Sequence, residues 1–163
     1  MKKIKLEKLT KESFAPFGSY YDMANPDGVG MQGDFHVFYP DRLPVCFDEE
    51  IAFSPLVVKK LAELKIATIE YHNNTPEVIL PITDDAIIHV ALPQKETPTA
   101  EQNKAFLVPK NTMVKLNPCV WHYAPLPANN ENITVIIGLP LLTYKNNCYV
   151  VDLTEDQQFI IEK

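Results

Sequence analysis

Glu70, His72 and Glu77 lie close together in the chain, and His122 stands in a second stretch about fifty residues on. If residues 66–72 are extended, side chains alternate between faces. Thr68, Glu70 and His72 then share one face, and Ala67, Ile69 and Tyr71 the other. The turn Asn73-Asn74-Thr75-Pro76 returns the chain, so Glu77 opens the next strand near His72. Downstream, Asn117-Pro118 is a turn signal, after which Trp121-His122 begins a further strand that can bring His122 to the group. Imidazole and carboxylate ligands with open positions suit a divalent ion such as Ni, Mn, Fe or Zn. Without an ion, the same side chains could form a proton relay.

Each of these residues also has a plainer reading. A lone strand histidine is more often a hydrogen-bonded structural residue, and Glu77 alone could be a solvated loop residue. Glu70 raises the odds for His72, because a carboxylate on the buried face of an apolar strand is costly unless paired or ligating. His89, inside the apolar run Ala86-Ile87-Ile88-His89-Val90-Ala91, reads as a core histidine and only a reserve ligand. Tyr123 points to the opposite face from His122 if that strand is regular. Trp121 is equally a core filler or a substrate wall. For a substrate carboxylate the cationic candidates are Arg42, the only arginine, with Lys110 and Lys115.

The elements that must position these groups are short. Fourteen prolines against five glycines punctuate the chain and leave little room for long helices. Between them lie β-branched and aromatic runs at 66–72, 77–80, 86–92, 105–108, 113–116, 133–139 and 148–153. That pattern predicts an all-β barrel or sandwich. Thr10 is placed to cap a short helical turn over 10–14, residues 155–161 fit either a helical turn or a strand, and 94–104 reads as an exposed connector. The first sixty residues look loop-rich and are expected to wrap the barrel.

Composition sets the outer limits. The 163 residues suffice for one domain with its own core, so residues 1–163 are expected to form a single unit. A net charge of −6 and one arginine argue against a nucleic-acid partner. No apolar run approaches the roughly 20 residues of a membrane span, and the lysine-rich start lacks a signal-peptide core. Three dispersed cysteines fit neither a zinc motif nor a disulfide framework, and a cytoplasmic location is expected.

The combined pattern resembles the cupin superfamily, which sets His-x-His-x(3,4)-Glu ahead of a later single His. Here Glu70, His72, Glu77 and His122 take those positions in order. Glutamate in the first place resembles the ureidoglycolate lyase family, with its Glu-x-His, Gln-x-Phe-x-Pro and Trp-His-x-Pro-Leu motifs. The matching segments are Glu70-Tyr71-His72, Glu77-Val78-Ile79-Leu80-Pro81 and Val120-Trp121-His122-Tyr123-Ala124-Pro125-Leu126. The opening segment from Leu9 to Gly18 and the closing Asn147-Cys148 are also similar to the family. Glu77 stands where the family usually has glutamine, and the arginine common upstream of Glu-x-His is replaced by Lys59 and Lys60. Family glycines are sparse around residues 33–42 and after Lys110. The resemblance implies a cupin-type double-stranded β-helix barrel with short helical segments near the termini. It also implies a homodimer and cleavage of ureidoglycolate, a small carboxylate, to glyoxylate and urea. Glu70, His72, Glu77 and His122 would be both the catalytic and the metal-holding residues, with Arg42, Lys110, Lys115 and Trp121 binding substrate. The two departures leave room for another metal-dependent lyase or isomerase acting on a small hydroxy or sugar acid. A non-catalytic ligand-binding cupin is the alternative from outside enzymes.

Overall fold

The computed structural model describes residues 1–163. Its strands are β1 (Lys2–Lys8), β2 (Gly18–Asp22), β3 (Met31–Gln32), β4 (Val37–Phe38), β5 (Ile51–Lys59), β6 (Lys65–Ile66), β7 (Thr68–Tyr71) and β8 (Glu77–Pro81). They continue as β9 (Ala86–Ala91), β10 (Asn103–Val108), β11 (Thr112–Leu116), β12 (Leu126–Pro127), β13 (Asn132–Pro140), β14 (Tyr149–Asp152) and β15 (Phe159–Glu162). Two single-turn helices, α1 (Lys11–Phe14) and α2 (Thr143–Asn146), complete the regular structure with a 3₁₀ turn at Ala100–Gln102.

The larger strands form two sheets, one in the order β12-β9-β10-β1-β15-β6 and one in the order β2-β11-β8-β13-β5. From β8 to β13 the chain alternates between them. β8 pairs with β11 and β13, while β9 pairs with β10 and β12, all antiparallel. This is the winding of a double-stranded β-helix, as the sequence led us to expect. The core between the sheets holds Ile79, Val114 and Leu116 facing Ile88, Val90, Phe106 and Val108. The Phe106 ring meets Phe14 edge-on at 5.3 Å.

The first sheet also curls around a second core. Beyond β6, at its far end, the chain bends at Ala67 into β7, and isolated bridges Glu70↔His122 and Ala91↔Trp121 tie β7 back to β9. Ile66, Ile69, Ile87, Ala105, Trp121, Phe159 and Ile161 fill that enclosure. β9 therefore has a core on each side and is buried at all six positions, which is why its sequence is a continuous apolar run rather than an alternation.

Thr10 caps α1 as expected, its Oγ1 accepting the Ser13 N–H at 3.1 Å. Residues 155–161 resolve into a turn followed by β15. The first sixty residues are less loop-like than the sequence suggested. β1 lies parallel between β10 and β15, β2 pairs with β11, and β5 pairs with β13 along all nine residues. In β1 the lysines mask a period-two pattern whose apolar members, Ile4 and Leu6, pack on the second core. Pro55 is tolerated in β5 because that strand is the sheet edge, where a missing N–H leaves no ladder bond unmade.

Candidate active site

Backbone pairing fixes the first two groups. Glu70 N–H donates to the His122 carbonyl at 2.6 Å, and His122 N–H donates to the Glu70 carbonyl at 2.8 Å. Alternation along β7 then sends Ile69 and Tyr71 to the second core and leaves Glu70 and His72 on the other face. Glu77, paired with Leu116 at the start of β8, points the same way as Ile79 and closes the group.

Glu77 Oε2 lies 3.0 Å from His72 Nε2 and 2.8 Å from His122 Nε2. The two imidazole centroids are 5.2 Å apart. His72, Glu77 and His122 are buried and Glu70 is half-buried. The opposite ring nitrogens settle the tautomers. His72 Nδ1 faces the Asn147 carbonyl at 2.9 Å, and His122 Nδ1 faces the Val120 carbonyl at 2.8 Å. A carbonyl only accepts, so each Nδ1 carries a proton and donates it. Each Nε2 then offers Glu77 either a second proton or a bare lone pair.

Two bare lone pairs against a carboxylate oxygen repel, so the group is stable only with a cation among its members. Protons are one solution. Burial pushes the Glu77 carboxyl up, but His122 and His72 together more than reverse this and hold it at about 2. Burial likewise works against charge on His122, and Glu77 overcomes it, leaving that imidazole above its ordinary value. A divalent ion is the other solution, and the donor set fits one. One ligand atom from each of Glu70, His72 and His122 lies within 4.8 Å of the other two. Both Nδ1 atoms are tied to carbonyls, the outer support that metal-binding histidines usually have.

The rim belongs to the link between α2 and β14. Cys148 Sγ donates to Glu70 Oε2 at 2.9 Å. Burial, then the Glu70 carboxylate, push this thiol up to about 12. Asn147 also lines a polar cleft of about 260 Å³ with Asp48, Glu49, Asn74 and Thr143, among others. Asn147 and Cys148 were visible in the sequence only as a closing Asn-Cys pair, with nothing to mark them as partners of His72 and Glu70.

The expected substrate-binding residues are not gathered here. Trp121 alternates with His122 and packs in the second core against Tyr71, with ring centroids 4.6 Å apart. Arg42 lies over the Tyr39 ring, donates to the Val29 carbonyl, and lines a separate groove with Lys11, Tyr20 and Asp41. Lys110 is an exposed residue in the turn before β11, where the next residue bonds the Pro81 carbonyl, at the opposite end of β8 from Glu77. Lys115 pairs with Val78 and so faces away from Glu77 and Leu116. Residue type alone suggested these four, and type does not report which face a side chain takes. His89, the reserve ligand, also lies elsewhere. It packs edge-on to Phe159 in the second core, with both ring nitrogens unpartnered. Burial, then the neighbouring His122, lower its pKa to about 3, so it is a neutral core residue.

A double-stranded β-helix that draws two imidazoles and two carboxylates from neighbouring segments into one cluster is a cupin-type barrel. The family model for ureidoglycolate lyase matches residues 1–161, and the chain belongs to that family. A ureidoglycolate lyase of Pseudomonas aeruginosa is 25% identical over 99% of this chain and 97% of its own length. That of Stutzerimonas stutzeri is 24% identical over 99% and 96%. Among solved structures, oxalate decarboxylase from Bacillus subtilis superposes with a TM-score of 0.44 and 15% identity, over 64% of this chain and 24% of that one.

Proposed function

We propose that this protein is an enzyme cleaving ureidoglycolate to glyoxylate and urea, with Glu70, His72, Glu77 and His122 as its reactive centre. The observation that carries the reading is the convergence of His72 Nε2 and His122 Nε2 on one Glu77 oxygen beside Glu70, in a chain matched almost end to end by this family.

The reaction reverses an addition. The carbinol O–H proton leaves, its electron pair forms the carbonyl, the C–N bond breaks, and the departing urea nitrogen takes a proton. Glu70 is the carboxylate suited to carry that proton from oxygen to nitrogen, since it is half-buried and accepts from only one side-chain donor. Glu77 is buried and occupied by both imidazoles, so its part is to hold them in place. A divalent ion held by His72, His122 and the carboxylates, whether Ni, Mn, Fe or Zn, would polarise the substrate's carboxylate and hydroxyl oxygens as a Lewis acid.

The same reading takes residues 1–163 as one cytoplasmic domain, supported by the pairing of β1 with β15 from opposite ends of the chain. No helix is long and apolar enough to cross a membrane. A homodimer is supported by the exposed apolar side chains Val29 and Phe35 on the 23–50 segment and by Phe53 and Val57 on the β5 edge.

A second reading, another lyase or isomerase of small hydroxy or sugar acids, is favoured by the extra charge of Glu77. A coupled assay for glyoxylate release from ureidoglycolate, with elemental analysis of the purified protein, decides. Release that disappears in His122→Ala supports the first reading. A metal-containing protein that releases no glyoxylate overturns it in favour of the second.

A further inference from the structure

Asn147 and Cys148 connect α2 to β14 and follow β7 by about seventy-five residues, yet they touch two members of the cluster at once. The register explains how. β14 pairs with β7 through Tyr149↔Tyr71 and Val150↔Glu70. One residue further back, Cys148 stands opposite His72 and on the same face as Glu70. Tyr149 takes the other face, where its ring stacks on Tyr71 at 4.9 Å and 10°.

From that position the Cys148 thiol donates to Glu70 Oε2 at 2.9 Å, and the preceding Asn147 carbonyl accepts from His72 Nδ1 at 2.9 Å. The Asn147 side chain secures the turn below: its Oδ1 accepts the Asn73 N–H at 2.9 Å, and its Nδ2 donates to Asn74 Oδ1. The turn between β7 and β8 is thus gripped by the same dipeptide that orients the two groups just before it.

The geometry points to Cys148 as a positioning residue and to Asn147-Cys148 as a clamp that orients Glu70 and His72 together. The thiol at this place acts as the hydrogen-bond donor. It occupies one carboxylate oxygen of Glu70 and leaves the other for the ion or the substrate hydroxyl. This role rests on the proposed reaction only for its effect on turnover; the hydrogen bond itself does not depend on it.

The test therefore has two arms. The S–H stretch falls in an infrared window free of other protein bands, and loss of one band in Cys148→Ala identifies this thiol among the three cysteines. Expected is a band that shifts to higher frequency in Glu70→Ala and part of the way in Glu70→Gln; a band indifferent to both overturns the clamp. In the glyoxylate assay, Cys148→Ala is expected to lower kcat about tenfold with KM within about twofold, and Cys148→Ser to recover most of the loss by restoring an O–H donor. Equal loss in alanine and serine also overturns it. A wild-type protein that releases no glyoxylate removes the reaction, while the infrared arm still judges the clamp.

Discussion

Glu77 Oε2 and His122 Nε2 meet at 2.8 Å although 45 residues separate them in the chain. His72 approaches the same oxygen from the other side. The buried carboxylate is therefore the one group that both imidazoles share, and several expectations follow from that arrangement.

Glu77→Gln keeps the shape and one acceptor oxygen but removes the charge. Without a full negative charge between them, the imidazoles hold a divalent ion less firmly. Titration with Mn²⁺ or Zn²⁺ is expected to show affinity reduced about 10- to 100-fold, with the fold retained by circular dichroism. Because the family usually carries glutamine here, glyoxylate release, when assayed at saturating metal, is expected to persist.

Stability of the metal-free protein should peak near pH 6.5. His89 is held at about 3 when folded against roughly 6.5 unfolded. Below pH 6.5 the unfolded chain thus binds a proton that the folded one refuses. Stability then falls by about 1.4 kcal/mol per pH unit. Under pH 4.5 Glu77, held at about 2, adds a loss of the same sign. Above pH 6.5 the raised His122 contributes in the opposite sense, since its extra stabilisation is present at low pH and lost as pH climbs through its folded value. Urea midpoints across pH 4 to 9 give the curve, and His89→Leu should flatten the stretch between pH 6.5 and 4.5.

Arg42→Ala, Lys110→Ala and Lys115→Ala should leave KM within about twofold, below the tenfold that 1.4 kcal/mol of lost binding would give. Each side chain faces away from the cluster or sits at another end of the barrel. Steady-state kinetics on the three variants checks this. A tenfold rise in KM for any of them would place that cation at the substrate.

Phe106→Ala tests the core that carries the site. The ring is fully buried between the sheets and meets both Phe14 and Phe17. Its removal is expected to cost about 3–5 kcal/mol in denaturant unfolding, with metal affinity unchanged in whatever fraction stays folded.

The cluster was legible in the sequence because it depends on a local rule. Period-two alternation sets Glu70 and His72 on one face wherever the strand goes, and a turn at Asn73–Pro76 returns the chain at Glu77. His122 needed only one further strand. What the sequence hides depends on contacts distant along the chain or on face. Asn147 and Cys148 reach the site through the β7–β14 register, which no short window contains. The continuous burial of β9 conceals that His89 belongs to the second core. Lys2, Lys3 and Lys5 make β1 look like a polar leader, although Ile4 and Leu6 alternate between them.

The place of β15 between β1 and β6 has a consequence for how this protein is made. β1 finds one of its two neighbours in residues 159–162, more than 150 residues further along the chain, so the enclosure holding Phe159 and Ile161 can close only once that strand has emerged from the ribosome. Such distant pairing slows folding, and a chain cut short before Phe159 should emerge with its second core open and aggregate.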